Sequence, residues 1–233
     1  LKNRSMANHL DLEEQEQLDQ LKHFWNTWGT WITSAIIVVA GCVATWNGYQ
    51  YWQSRQATQA AALFDSVDSA VRSGDQGRMV QAFGDLKSGY AATTQTSQAG
   101  LAIAKAMADA ANIDGARDAL AWVANHSGDE GLKAIAKVRL AGVLMEEKKF
   151  DEALKQLSGS YPPEFEAVFA DRRGDIFRMQ DKRADAIAEY KKAYKAFDEG
   201  VEYRRLVEIK LGALGVSSSN IAMAALSIAP GAK

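Results

Sequence analysis

The spacing of apolar and polar positions changes once along the chain, near residue 55. Residues 24–54 carry no Asp, Glu, Lys, Arg or His, and the centre, residues 36–44, is aliphatic and small. Trp25, Trp28 and Trp31 precede that centre; Trp46, Tyr49, Tyr51 and Trp52 follow it. A helix of roughly 20 apolar residues crosses the ~30 Å hydrocarbon layer of a bilayer. Tryptophan and tyrosine collect at its two headgroup levels. The pattern predicts a membrane span whose interface anchors are those seven aromatic residues.

After residue 55 the apolar positions recur at helical spacing, with short polar breaks. Residues 56–72 form one amphipathic helix with Ala60, Leu63, Phe64, Val67 and Val71 on one face, ended by Ser73-Gly74-Asp75. Further helices are expected at 79–86, at 97–111 and 116–125 with a break at Asp114-Gly115, at 132–147 and 151–157, at 163–179 and 183–197, and at 202–214. Pro162 and Pro163 suit a helix start, where the missing N–H costs nothing.

The helix pairs repeat. Taking the small residue within each second helix gives Ala119, Ala153 and Ala186, spaced by 34 (119 to 153) and 33 (153 to 186). Twelve positions before each stand Met107, Ala141 and Gly174, of which only Met107 is large. Helix–turn–helix units at a period near 34 residues are the tetratricopeptide signature. A small residue in each helix lets the pair approach closely, and stacked pairs share a continuous core. The fold class expected is therefore all-α: an N-terminal transmembrane helix followed by an α-solenoid of tetratricopeptide-like hairpins. The first pair, up to residue 90, fits the period poorly and reads as a capping pair. Residues 202–214 read as the helix that closes the other end.

Composition sharpens this little. The chain has 233 residues, a net charge of -2 and three prolines, with no basic block, which argues against nucleic acid as a partner. Its one cysteine, Cys42, lies in the apolar stretch. Val39-Ala40-Gly41-Cys42 resembles a lipobox, so an alternative is a lipoprotein-type scaffold for envelope assembly, acylated at Cys42. Against it, the leader is long and acidic, with Asp11, Glu13, Glu14, Glu16 and Asp19, where a signal peptide has a short positive one. Flanking charges leave orientation open: Arg4 and Lys22 on one side balance Arg55 and Arg72 on the other.

Catalytic chemistry finds no support, and no cofactor or metal is expected. The three histidines are scattered, with His126 alone after the span, and no phosphate-binding glycine loop or nucleophile elbow occurs. Asp171, Asp175 and Arg178 share one face of the helix 163–179, and Ile135, Val138, Gly142 and Met145 stand at the matching positions of the preceding unit. These six candidates, Ile135, Val138, Met145, Asp171, Asp175 and Arg178, outline a polar and apolar groove for a partner segment. The competing reading is a solvated face with internal charge pairs.

This layout resembles the YfgM family of bacterial inner-membrane proteins. The likeness lies in an acidic tail, one span, Tyr51-Trp52-x-Ser54-x-Gln56 leading into an Ala-rich helix, tetratricopeptide-like pairs, and a closing helix with Leu206-Val207-Glu208-Ile209-Lys210-Leu211. The resemblance covers roughly residues 10–214. It implies a cytoplasmic N-terminus, a single pass of the inner membrane and a periplasmic repeat domain. It also implies association with the SecYEG translocon and the chaperone PpiD, contact with unfolded client polypeptides, and no catalytic residues. The expected domains are a cytoplasmic tail over 1–23, an anchor over 24–54, a repeat domain over 55–214 and a flexible Ala/Ser-rich tail over 215–233.

Overall fold

The computed structural model describes residues 12–216, which hold nine α-helices and no strand. Most of the expected C-terminal tail, from residue 217 on, lies outside the described residues. The chain divides into two compact units with the boundary between Arg55 and Gln56.

In the first unit the backbone is helical from Leu12, and the helix α1 (Leu12–Ser73) extends beyond the boundary. It is long and apolar enough to cross a membrane, and almost none of its apolar window is buried in protein. A core helix of a soluble protein would bury that face. Here Ile36, Ile37, Val38 and Val39 are all exposed.

The second unit contains the end of α1 followed by α2 (Gln76–Tyr90), α3 (Thr94–Asp109), α4 (Ile113–His126), α5 (Glu130–Glu146), α6 (Phe150–Gln156), α7 (Glu166–Met179), α8 (Arg183–Ala196) and α9 (Glu202–Ala213). Pro163 opens a single 3-10 turn, Pro163–Phe165, that leads into α7. Side-chain oxygens of Asp75, Thr93, Asn112 and Asp129 accept from backbone N–H groups three residues on, which fixes the starts of α2 to α5.

Each hairpin turns in the same way. One residue takes a left-handed conformation: Gly74, Ala111, Lys148 and Asp181 in turn. The next N–H donates to the carbonyl five residues back: Asp75 to Ala70, Asn112 to Met107, Lys149 to Leu144 and Lys182 to Phe177. That bond satisfies a carbonyl the helix end would otherwise leave open. The same turn ends α9, at Gly215, with Val216 donating to Leu211.

These turns correct the repeat register. The left-handed residues run from 74 to 111 to 148 (37 each), then to 181 (33) and to 215 (34). The residue matching Ala153 and Ala186, fourth in its helix, is therefore Ala116 and not Ala119. Twelve positions before it is Ala104, so the apparent exception at Met107 disappears. The first pair, the end of α1 with α2, shares the turn at Gly74 but not the small residues: the fourth residue of α2 is Met79, and twelve positions before it stands Val67. The break expected at Asp114-Gly115 lies instead at residues 110–112, and Asp114 sits in the first turn of α4, where a carboxylate is favoured. Gly115 is a packing residue, since a β-carbon there would stand 2.3 Å from the Met107 sulfur.

The core follows the register. One buried cluster runs from Ala60 and Val67 through Phe83, Ile103, Val123 and Leu144 to Phe169 and Ile176. A second, around Tyr190, joins Ala170, Ala186, Ala193, Val207 and Leu211. Each large side chain so buried contributes about 1.5–3 kcal/mol. In this second cluster the close approach is at Gly174, where a β-carbon would meet the Tyr190 ring at 2.5 Å.

Candidate functional site

Helices α3, α4, α5 and α7 together line an open groove of about 440 Å³. Its floor is apolar, with Ala104, Ala116, Leu120 and Val143. Its edges carry charge: Lys105 from α3, Arg139 and Glu146 from α5, and Arg172 from α7. Of the six groove candidates, only Met145 lines it, together with Gly142 from the same face. Ile135 is half-buried against the core and Val138 is buried in it.

Asp171 and Asp175 do come together, but not on an open groove. Asp171 is only 2% exposed. Lys210 of α9 donates to its Oδ1 at 2.8 Å and Oδ2 at 2.9 Å, and reaches Asp175 Oδ1 at 2.8 Å. Tyr203 donates to Asp171 at 2.9 Å, and Tyr190 donates to Asp175 at 2.8 Å. Two carboxylates, one ammonium and two phenols thus form a closed set that fastens the last helix. Burial, reinforced by the Asp175 carboxylate, pushes the Tyr190 phenol well above its ordinary range. Burial and Asp171 push Tyr203 up to about 12. The face read as a partner groove, or alternatively as a solvated one, is consumed at Asp171 by stacking, because Asp171 repeats the position of Val138 and both meet packed neighbours. Arg178, at the end of α7, is exposed and takes no part in this set.

A second charged knot ties α8 to the chain before α7. Arg173 Nε donates to Glu189 at 2.7 Å, while its Nη1 donates to the Leu157 carbonyl at 3.1 Å and to Tyr161 at 3.3 Å. Burial raises the Glu189 carboxyl, but Lys192 and Arg173 outweigh it and hold the group below the usual carboxylate range. His126, the last residue of α4, stacks on Trp122 at 5.0 Å and has Nδ1 2.9 Å from the Trp122 carbonyl, a helix-end role.

Sequence reasoning passed over Arg139 and Arg172. The signal was present, because they occupy the same register position in consecutive hairpins, 33 residues apart as Lys148 and Asp181 are.

In the first unit all seven aromatic candidates are exposed: Trp25, Trp28, Trp31, Trp46, Tyr49, Tyr51 and Trp52. Tyr49 and Trp52 lie 6.2 Å apart, and Arg55 sits 4.8 Å over the Tyr51 ring. Cys42 is exposed on the same helix.

A family model described as a tetratricopeptide repeat-like domain matches residues 22–216. A protein of Neisseria gonorrhoeae (strain ATCC 700825 / FA 1090) named ancillary SecYEG translocon subunit is 32% identical over 213 residues, covering 90% of this chain and 100% of that protein. Its namesake from Escherichia coli (strain K12) is 25% identical over 185 residues, 78% of this chain and 88% of the relative. The one from Haemophilus influenzae (strain ATCC 51907 / DSM 11121 / KW20 / Rd) is 27% identical over 207 residues, 87% and 98%. No solved structure matches the chain significantly.

Proposed function

We propose, from the premise that the chain belongs to the YfgM family of tetratricopeptide repeat-like proteins, that it is a non-enzymatic, membrane-anchored scaffold associated with the SecYEG translocon. The observation that carries this reading is the match to the whole length of a relative named for that role. The exposed apolar helix supports the anchor, since an aliphatic surface of that length is stable in lipid and not in water. The family match begins at residue 22, upstream of Cys42. It therefore includes residues that lipoprotein processing would discard, which favours a retained span over acylation.

In this reading residues 1–23 are cytoplasmic, residues 24–54 cross the inner membrane and the repeats of residues 55–214 stand in the periplasm. There they hold a PpiD-like chaperone and assist the handover or folding of translocated chains. The chaperone and the orientation rest on family resemblance. Stacked hairpins suit the task because each adds surface without needing a catalytic centre.

The test is purification of the full chain from its native membranes in mild detergent after crosslinking. Translocon subunits and a PpiD-like chaperone are expected in the eluate. Recovery of the chain without any translocon subunit would end the proposal.

A further inference from the structure

We infer that residues 217–233 fold back over the exposed apolar side of α9, which carries Leu206 and Ile209, and close the last face of the array. A helix that ends a stack of repeats needs a polar outer face to stay soluble. α9 departs from this. Its inner side, with Val207 and Leu211, is fully buried in the cluster around Tyr190. Its outer side presents Ile209 at 61% and Leu206 at 41% exposure, one turn apart, with Ala213 exposed one turn further on. Among the described residues of the second unit, no other helix exposes two large aliphatic side chains within one turn.

The path of the chain brings the next residues back along α9. After Ala111, Lys148 and Asp181 the left-handed turn leads into α4, α6 and α8, and each of these packs on the helix before it. The same turn at Gly215 closes α9, with the Val216 N–H donating to the Leu211 carbonyl at 3.1 Å. Arg183 donates to the Leu214 carbonyl and Val216 packs on the cluster around Tyr190, so the exit is held. α9 has 12 residues, about 18 Å, a distance that a second helix of equal length retraces.

The composition of the segment fits that place. Residues 217–232 carry no charge, and 221–229 read IAMAALSIA, with one polar side chain. A solvated tail is poor in apolar residues and rich in charge. Ile221, Ala225 and Ile228 recur at helical spacing, after Ser217-Ser218-Ser219-Asn220 and before Pro230-Gly231, residue types that start and stop helices. The family match ends at residue 216, so nothing in it accounts for this segment.

Two other occupants fit less well. A stable interface between copies buries about 1,200–2,000 Å² in total, and three side chains on one short helix supply only a fraction of that. A tethered segment needs less, because its linkage raises its effective concentration to the millimolar range. The apolar run 221–229 is under half of the ~20 residues that cross a bilayer, so lipid offers it no span.

The test is thiol labelling of the full chain in lipid nanodiscs, on a Cys42→Ser background. Ile209→Cys and Val80→Cys report two helix positions of equal exposure, 61% each. Maleimide reaction rates are each normalised to the urea-unfolded chain. The rate at 209 is expected to be roughly tenfold or more below that at 80, the equivalent of about one buried aliphatic side chain. Ala213→Cys, which leaves Leu206 and Ile209 in place, should be slowed likewise. Leu226→Asp with Ile228→Asp should bring both α9 thiols up to the Val80→Cys rate and leave Val80→Cys itself unchanged. Equal rates at 209 and 80 with the native segment would overturn the inference. So would protection at 209 that fades on dilution, which marks a second copy, or protection that survives the two aspartates, which marks lipid or another partner.

Discussion

Lys210 of α9 places its ammonium within 2.9 Å of both carboxylate oxygens of Asp171, a residue of α7 that is nearly sealed from solvent. Among the described residues no other cation pairs with Asp171: the neighbouring Arg172 reaches Asp175 instead, at 3.6 Å. A buried ion pair adds little over an apolar pair of the same shape, but removing one member strands the other charge. Lys210→Met should therefore destabilise the repeat domain by about 3–5 kcal/mol. Adding Asp171→Asn should recover part of that loss, giving a coupling term well outside additivity. Urea titrations of the two single variants and the double variant, followed by circular dichroism, measure both. Additive losses would contradict the fastening role.

The approach of α7 to α8 rests on a missing methyl group. Ala normally gains about 1 kcal/mol over Gly inside a helix. At Gly174 the new β-carbon would stand 2.5 Å from Tyr190 Cδ1, and that ring is fully buried with no room to retreat. Overpacking of this kind costs about 1–3 kcal/mol. Gly174→Ala should therefore lower the thermal midpoint, while Gly84→Ala, whose β-carbon meets nothing, should raise it or leave it alone. The two variants scanned side by side separate packing from helix propensity.

Most of the architecture was legible because its signals are local. Helical periodicity and Gly, Asp and Pro breaks placed α2 to α9 within a few residues, whereas α1 begins at Leu12, well before the span expected from residue 24, and runs unbroken to Ser73. The register of one hairpin was misread for an equally local reason. The α3–α4 pair is so rich in alanine that Ala116 and Ala119 both look like the close-packing residue, and both are buried. The residue that decides, Ala111, adopts its left-handed turn conformation without being glycine, so sequence gives no sign of it. The fate of Asp171 was hidden differently. Its partner Lys210 lies 39 residues away, and only stacking of α9 brings them together. By contrast, Arg139 and Arg172 became conspicuous only once the register was right.

Alkaline pH should loosen the α7–α8–α9 junction. Tyr190 and Tyr203 both donate to carboxylates, and both phenols lie above their ordinary value of 10.0, Tyr203 at about 12. A folded pKa above the unfolded one means the folded state holds the proton more tightly. The stabilisation is complete below about pH 10 and is lost as pH rises through the folded values. The urea midpoint should thus hold level to about pH 10 and fall toward pH 12. Tyr190→Phe should flatten the fall more than Tyr203→Phe, because Tyr203 is 41% exposed and better solvated. A midpoint that is flat across this range, with tyrosinate absorbance already developed, would contradict the assignment.

Orientation is the question that flanking charges leave balanced, and the single cysteine makes it answerable. Cys42→Ser gives a chain without thiols, since no other cysteine exists. New cysteines at exposed positions on either side of the apolar stretch, Lys22→Cys and Arg72→Cys, then report compartment. If the repeats face the periplasm, a membrane-impermeant maleimide applied to cells with a permeabilised outer membrane labels Arg72→Cys. Lys22→Cys reacts only after the inner membrane is broken. The reverse pattern would place the repeats in the cytoplasm and remove the periplasmic chaperone from the list of partners. Intact mass of the unmodified chain completes the test: a retained N-terminal segment and an unmodified Cys42 identify a span, whereas loss of the first 41 residues with an added lipid identifies an acylated anchor.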